Sequence, residues 1–360
     1  MGGLDRAHMT PNDQQVVPIA RARGPRDTLG RPLHDLRISV MDRCNFRCPY
    51  CMPRDTFHDS YRFMKSAERL SHEEIVRLAR LFVSLGVQKI RITGGEPLLR
   101  ANLADLVGDL TALPGEPDIA LTTNGVLLAK YASELKASGL ARVTVSLDSL
   151  DPEIFRHLCG GFDELATVLD GIGHAQRAGL TPLKINTVIQ RGVNDAGALD
   201  LAARFRGTGI VVRFIEYMDV GNRNQWQPGL VVPSAELHAR IHARWPLAPL
   251  DRNYVGEVAQ RYAYTDGQGE IGFISSISQP FCGDCSRARL SSDGVLYTCL
   301  FATHGLDLRA PLRAGADDEE LLAMIRGRWT ARVDRYSELR ATLRASAAQE
   351  PKIEMNYIGG

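Results

Sequence analysis

Cys44-Asn45-Phe46-Arg47-Cys48-Pro49-Tyr50-Cys51 sets three thiols at spacings x3 and x2, directly after the first strand-like run, Leu36–Val40. A loop this short lets all three sulfurs converge on one side, and thiolates are soft ligands suited to zinc or iron–sulfur chemistry. A structural zinc site closes its coordination with four protein ligands, whereas three thiolates on a [4Fe–4S] cluster leave one iron free for a substrate or cofactor. The alternatives are zinc borrowing His58 or His34, or three unrelated buried cysteines.

Working outward from that loop, strand-like runs recur at Gln88–Thr93, Ile119–Thr123, Arg142–Leu147, Leu183–Ile189 and Ile210–Tyr217, with helix-length segments between them. The alternation signals βα units and a parallel sheet. Ser71-His72-Glu73-Glu74 is a capping-box pattern ahead of Ile75, Leu78, Ala79 and Phe82, with Gly86 as the stop. Asp151-Pro152 reads as an N-cap followed by proline at the first helical position. After about Asp219 the pattern changes. Glu257–Tyr264, Ile271–Ser275, Ala288–Ser291 and Val295–Cys299 read as antiparallel strands with turns at Asp266-Gly267 and Asp293-Gly294. Helical patterns follow around Asp318–Arg326 and Tyr336–Arg344. The expected fold is α/β: a partial (βα)6 barrel over residues 31–220, then a smaller C-terminal antiparallel β and helical extension over 221–360. Residues 1–30 lack periodicity and read as a flexible leader.

The 43 Lys+Arg against 42 Asp+Glu give a net charge of +1, so any anion site must be local, and neither nucleic acid nor a membrane is an expected partner. At 44% hydrophobic and 24% charged residues the chain can bury a substantial core, which excludes global disorder. The seven cysteines fall into two clusters of three and the singleton Cys159, an odd and clustered set unlike a secreted disulfide framework. Met1–Gly30 holds no apolar signal-peptide core, and no apolar run approaches the roughly 18 residues that span a bilayer. The reducing cytosol is therefore the expected compartment. Cys159 lies in a helix-like stretch and reads as a buried small hydrophobe.

Further motifs fall at the carboxyl ends of successive strands, where parallel barrels gather their sites: Thr93-Gly94-Gly95-Glu96-Pro97, Thr122-Thr123-Asn124-Gly125, Ser146-Leu147-Asp148-Ser149 and Tyr217-Met218. The two adjacent glycines would allow a ligand close backbone approach. A second thiol triad, Cys282-Gly283-Asp284-Cys285 with Cys299, also lacks a fourth cysteine. Alone it would fit a zinc knuckle; beside the first triad, a second [4Fe–4S] centre with an open iron is the better reading. Between its members, Arg287-Ala288-Arg289 puts two guanidinium groups on one strand face, suited to a phosphate or a purine edge. Arg37, Arg91 and Lys184 lie on the first, second and fifth strands, where inward orientation would direct positive charge into the same cavity.

The Cys-x3-Cys-x2-Cys run with Tyr50 before its last cysteine resembles the radical S-adenosylmethionine superfamily. In that superfamily the open iron chelates S-adenosylmethionine, and the reduced cluster cleaves it to a 5′-deoxyadenosyl radical. The resemblance implies a cluster on Cys44, Cys48 and Cys51, with S-adenosylmethionine contacted by Tyr50, Gly95, Ser146 and Met218. Asp42-Arg43-Cys44-Asn45, Arg91-Ile92-Thr93-Gly94-Gly95-Glu96-Pro97, the two-arginine segment and the terminal Gly359-Gly360 together resemble the GTP 3′,8-cyclase family, over about Leu29 to Gly360. That family implies an incomplete triosephosphate-isomerase-type barrel and a second cluster on Cys282, Cys285 and Cys299 that binds the guanine of GTP. It further implies GTP contacts from Arg37, Arg91, Thr122, Lys184, Arg287, Ala288 and Arg289, and catalytic roles for Arg37, Arg91, Gly359 and Gly360, the Gly-Gly end entering the pocket. The implied reaction is hydrogen abstraction from C3′ of GTP, attack on guanine C8, and reduction to 3′,8-cyclo-7,8-dihydro-GTP, at the start of molybdenum cofactor biosynthesis. Implied partners are a reductant protein such as flavodoxin or ferredoxin, cyclic pyranopterin monophosphate synthase as recipient of the product, and a second copy in a homodimer. A peptide-modifying radical enzyme usually carries more C-terminal cysteines and lacks the paired arginines with a Gly-Gly end. A noncatalytic zinc or iron–sulfur protein is the competing reading from another class.

Overall fold

The computed structural model describes residues 24–345 and 351–359. Six strands, β1 (Asp35–Ser39), β2 (Lys89–Thr93), β3 (Asp118–Thr123), β4 (Arg142–Ser146), β5 (Lys184–Ile189) and β6 (Val211–Glu216), alternate with helices. Each falls on a run expected from the sequence and pairs in parallel with the next. The strands alternate in facing: in β1, Leu36 and Ile38 are fully buried in the hydrophobic core while Arg37 points to the other face. Ser71 caps the helix His72–Ser84 in a capping box with Glu74, and Asp151 accepts from the amides of Glu153 and Ile154 at the start of the helix Pro152–Leu158. Such caps contribute about 1 kcal/mol each and fix where a helix leaves its loop.

The carboxyl-terminal third departs from the expected appendage. It supplies β7 (Leu247–Leu250), β8 (Gln260–Tyr264), β9 (Glu270–Ile274), β10 (Arg287–Leu290), β11 (Val295–Tyr297) and β12 (Leu306–Asp307). The hairpins β8–β9 and β10–β11 are antiparallel as expected, but β9 joins β6 in parallel and β10 joins β1 in parallel. One sheet results, in the order β12-β11-β10-β1-β2-β3-β4-β5-β6-β9-β8-β7. Six parallel strands leave two edges of unpaired amide and carbonyl groups, and these hairpins cover both. Strand periodicity is the same for either pairing direction, so the parallel joins are invisible locally.

The leader expected over residues 1–30 lies outside the described residues as far as residue 23. From Gly24 the chain is docked, with Asp27 and Arg31 buried and paired at 2.5 Å. Among the described residues no helix is long and apolar enough to cross a membrane.

Candidate active site

A cavity of about 870 Å³ is lined by all six clustered cysteines. The first triad follows the carboxyl end of β1. Because β10 runs parallel to β1, Cys282 and Cys285 precede its amino end, and antiparallel β11 returns Cys299 to that same end. The two triads therefore face each other along the strand axis, across roughly 15 Å for a five-residue strand.

The first loop is held rigidly. The Arg47 amide donates to the Cys159 carbonyl (3.0 Å), and its guanidinium donates to the carbonyls of Cys44 (2.7 Å), Phe46 (2.8 Å) and Phe57 (2.8 Å). Gly95 serves this loop: a Cβ there would overlap the Arg43 carbonyl, and its amide donates to Met41 O (2.7 Å). The close approach foreseen for a ligand is thus made by the protein's own backbone, although Gly94 and Gly95 also border the cavity. Fully buried Glu96 accepts from Thr123 Oγ1 (2.7 Å) and the Asn124 amide (2.8 Å), tying the ends of β2 and β3 together, and burial pushes its carboxyl up to about 7. The Tyr50 hydroxyl donates to Asp148 (2.6 Å), whose other oxygen accepts from the Val188 amide (2.8 Å); burial raises this carboxyl to about 6. Burial, then the neighbouring Glu96, raises the Cys44 thiol to about 12.

In the second triad Cys285 has the opposite surroundings. Burial raises the Cys285 thiol, but the Arg287 and Arg332 guanidiniums overcome it and bring it down to about 6. Both donate to its sulfur at 3.2 Å. Arg332 also donates to the Cys285 carbonyl (2.6 Å), and Arg31 to the Cys282 carbonyl (2.7 Å). Burial and then the Asp334 carboxylate push the Cys299 thiol up to about 12, against the lowering charge of Arg332.

Between the triads stands a row of cations. In-register pairing sets Arg37 beside Arg289 on one side and Arg91 on the other. Burial and then its like-charged neighbours hold Arg37 well below the usual guanidinium range. Arg91 donates to Thr122 Oγ1 (3.0 Å) and Thr144 Oγ1 (3.3 Å). Burial also lowers Lys89 to about 7 and Lys184 to about 8. A buried row of this kind is costly without an anion.

The structure brings Tyr50, Gly95, Ser146, Met218, Arg37, Arg91, Thr122, Lys184, Arg287 and Arg289 to this one cavity. Ala288 is the exception: strand alternation turns its side chain into the hydrophobic core, away from the two arginines. Gly359 packs behind the lining, against Arg289 and Thr93. It adopts φ +71°, its carbonyl accepts from Arg289 Nη1, and a Cβ there would overlap the Thr93 side chain. Gly360 lies outside the described residues. Sequence reasoning missed Arg213, Lys89, Asp35 and Arg332, and took Glu96 and Asp148 only as members of their motifs. For Arg213 the signal was present, a lone charge in Val211-Val212-Arg213-Phe214-Ile215 at an inward position, where it donates to Asn186 (3.0 Å).

The donor set tests the metal readings. All seven cysteines are free, and among the described residues no three His, Cys, Asp or Glu converge closely enough for a single metal ion. His34 stacks on Tyr254 beside Asp35, at the far end of β1 from Cys44, and exposed His58 pairs with Ser60. Neither completes a zinc site with the first triad. Three thiols on one wall of a large cavity suit a group that holds its ligands further apart, as an iron–sulfur cluster does.

A family model described as Radical SAM superfamily matches residues 38–205, and one described as Molybdenum Cofactor Synthesis C matches 210–338. The chain is 56% identical over 335 residues to a GTP 3′,8-cyclase of Xanthomonas axonopodis pv. citri, covering 93% of this chain and 98% of that one. It is 52% identical over 358 residues to a GTP 3′,8-cyclase of Acidothermus cellulolyticus, covering 93% and 99%. With 15% identity and a TM-score of 0.59, it resembles Streptococcus suis SuiB bound to its precursor peptide over 84% of this chain and 65% of that one. A comparable likeness, TM-score 0.55 at 15% identity, covers 89% of this chain and 93% of anSMEcpe with bound AdoMet. These two show a shared fold alone.

Proposed function

The chain belongs to the GTP 3′,8-cyclase family of radical S-adenosylmethionine enzymes, and from that premise we propose how its cavity performs the family's reaction. The enzyme converts GTP to 3′,8-cyclo-7,8-dihydro-GTP in the first step of molybdenum cofactor biosynthesis, using a [4Fe–4S] cluster and S-adenosylmethionine. Cys44, Cys48 and Cys51 would hold that cluster, which with S-adenosylmethionine would supply radical chemistry for abstraction of the C3′ hydrogen of GTP.

Everything else is the work of the chain's own groups. Tyr50, fixed by Asp148, and Gly95, Ser146 and Met218 border the S-adenosylmethionine seat. Cys282, Cys285 and Cys299 hold a second [4Fe–4S] cluster at the amino end, with Arg332 and Arg287 stabilising its thiolate charge. Arg37, Arg91, Thr122, Lys184, Arg287 and Arg289 bind GTP between the two. Guanidinium forks match phosphate oxygens, and the cost of burying them is offset when the triphosphate arrives. Arg289 also holds the Gly359 carbonyl, so the chain end closes the wall beside the substrate and excludes water from the radical.

The six-stranded set is an incomplete triosephosphate-isomerase-type barrel over residues 31–220, and 221–360 form an extension whose hairpins share its sheet. A reductant such as flavodoxin or ferredoxin, transfer of product to cyclic pyranopterin monophosphate synthase, a cytoplasmic setting and a homodimer complete the reading.

The observation that carries this reading is the meeting of both thiol triads and the arginine row in one cavity. Anaerobic reconstitution should give about eight irons per chain. The reduced enzyme with GTP and S-adenosylmethionine should then yield 5′-deoxyadenosine together with a cyclised nucleotide. About four irons, or deoxyadenosine without that product, would overturn it.

A further inference from the structure

The loop that leaves β6 brings Met218 into the cavity lining, and the next residue, Asp219, is buried behind it. The Asp219 carboxylate gathers four donors from two segments distant in the chain. Tyr336 Oη donates at 2.6 Å, Arg340 Nε at 2.9 Å and Arg344 Nη1 at 3.4 Å, all from the helix Tyr336–Ala345. Lys352 Nζ donates at 3.1 Å from the segment that leads to Gly359, and also reaches the Asp219 carbonyl at 2.9 Å. One carboxylate therefore answers three cations.

Apolar packing contributes little to either docking. Of the helical side chains over 336–344, Arg340 alone is buried, while Leu339 and Leu343 are exposed. Tyr336 stacks on Phe301 at 4.3 Å, two residues after Cys299. The segment 351–359 is seated on the β6 loop by polar contacts. Asn222 Nδ2 donates to the Lys352 carbonyl (2.6 Å), the Lys352 amide to Asn222 Oδ1 (3.0 Å), and the Asn222 amide to Glu354 (3.1 Å). Gly221, at φ +69°, permits this approach, since a Cβ there would overlap the Glu354 carboxylate. Only at the far end is a side chain fully enclosed, Ile358 against Tyr297 and Ala302. Elements with so few buried apolar contacts are those that open locally.

Both segments border the reaction: Ser337 and Met355 line the cavity, and the Gly359 carbonyl accepts from Arg289. Without the Asp219 charge, Arg340, Arg344 and Lys352 would repel one another, and the two segments would part from the loop. Met218 would stay, because Asn224 Nδ2 holds its carbonyl (2.8 Å) and Trp226 Nε1 holds that of Tyr217 (2.7 Å). We propose that Asp219 is a positioning residue for cyclisation, the latch that seats the helix Tyr336–Ala345 and the segment 351–359 beside Met218 and keeps the cavity closed during the reaction. This rests on the reading that Met218 borders the S-adenosylmethionine seat and that the chain end shields the substrate.

The test uses the reconstituted holoenzyme and two measurements. Hydrogen exchange followed by mass spectrometry reports the seating of 336–345 and 351–359, with β3 as the control for general loosening. Turnover with GTP reports the deoxyadenosine formed per cyclised nucleotide. Asp219→Asn should speed exchange in both segments but not in β3, and raise that ratio about tenfold, because a displaced wall admits water and relaxes the reactive geometry. S-adenosylmethionine affinity should stay within about twofold of wild type, since the Met218 backbone has its own ties. Lys352→Met, a milder change, should loosen 351–359 alone and raise the ratio less. Asp219→Glu, which keeps the charge, should recover most of the coupling. An unchanged ratio in Asp219→Asn overturns the proposal. So does faster exchange in β3 to the same degree, which would make Asp219 a general stabiliser, or a raised ratio with both segments still protected. A wild-type protein that makes no cyclised nucleotide would instead sink the functional reading, while exchange would still decide whether Asp219 seats these segments.

Discussion

At the carboxyl end of the sheet Cys44 is buried beside Glu96, while at the amino end Cys285 is buried between Arg287 and Arg332. Burial alone would raise both thiols. The first is driven up to about 12 and the second down to about 6, so the neighbouring charges, not the degree of enclosure, set which protonation state each site favours. On the function proposed above, Cys44 would become a thiolate only with the positive charge of a bound metal group, whereas Cys285 has part of that charge built in, from guanidiniums able to stabilise thiolate and phosphate alike.

The largest effects should come from removing one thiol at a time. Cys48→Ala should abolish deoxyadenosine formation and reduce iron to about four per chain, while Cys285→Ala should lose the same iron yet retain some cleavage of S-adenosylmethionine without cyclisation. Identical losses in both variants would erase the distinction between the triads. Next, Arg289→Ala, or removal of Gly359-Gly360, should lower cyclisation on the order of 100-fold, because reactive geometry degrades that steeply with small displacements. S-adenosylmethionine affinity should not move; a parallel fall in it would give the chain end a structural role only. Arg332→Met is a milder change. It should speed iron release to a chelator from the second triad severalfold and leave the first unaffected, by withdrawing one of the two charges that hold Cys285 down.

The smallest expected effect concerns pH. Free Lys89 and Lys184 titrate at about 7 and 8, lowered first by burial. A bound triphosphate raises both values, so between pH 7 and 9 the complex holds more protons than the free enzyme. GTP affinity should then fall with rising pH in that window, by about twofold, with proton uptake visible by calorimetry in buffers of different ionisation enthalpy. Affinity that is flat or rises there would remove these lysines from the substrate's field.

The first triad was legible because its three ligands lie within eight consecutive residues, and loop chemistry is local. The second was legible as thiols but not as a site: Arg332, which holds Cys285, is 47 residues away, and Arg31, which holds Cys282, is 251 residues away. Glu96 and Asp148 stand within strand-end motifs that the sequence singles out, but their roles were not legible, because only burial against partners from other strands turns them into struts. Ala288, which the resemblance groups with its arginine neighbours, has its side chain turned into the core by strand alternation.

The sequence by itself determined the six βα units, the caps that start their helices and the chemistry of the ligand loops, since periodicity, capping and cysteine spacing are short-range properties. Tertiary structure alone decided that β10 and β9 close onto β1 and β6 in parallel. That choice puts the second triad at the amino end, aligns Arg289, Arg37 and Arg91 in one row, and joins what reads as an appendage to the same sheet. Its cause is the demand of two open sheet edges for hydrogen-bonding partners, which strands distant in the chain can meet and a local pattern cannot announce.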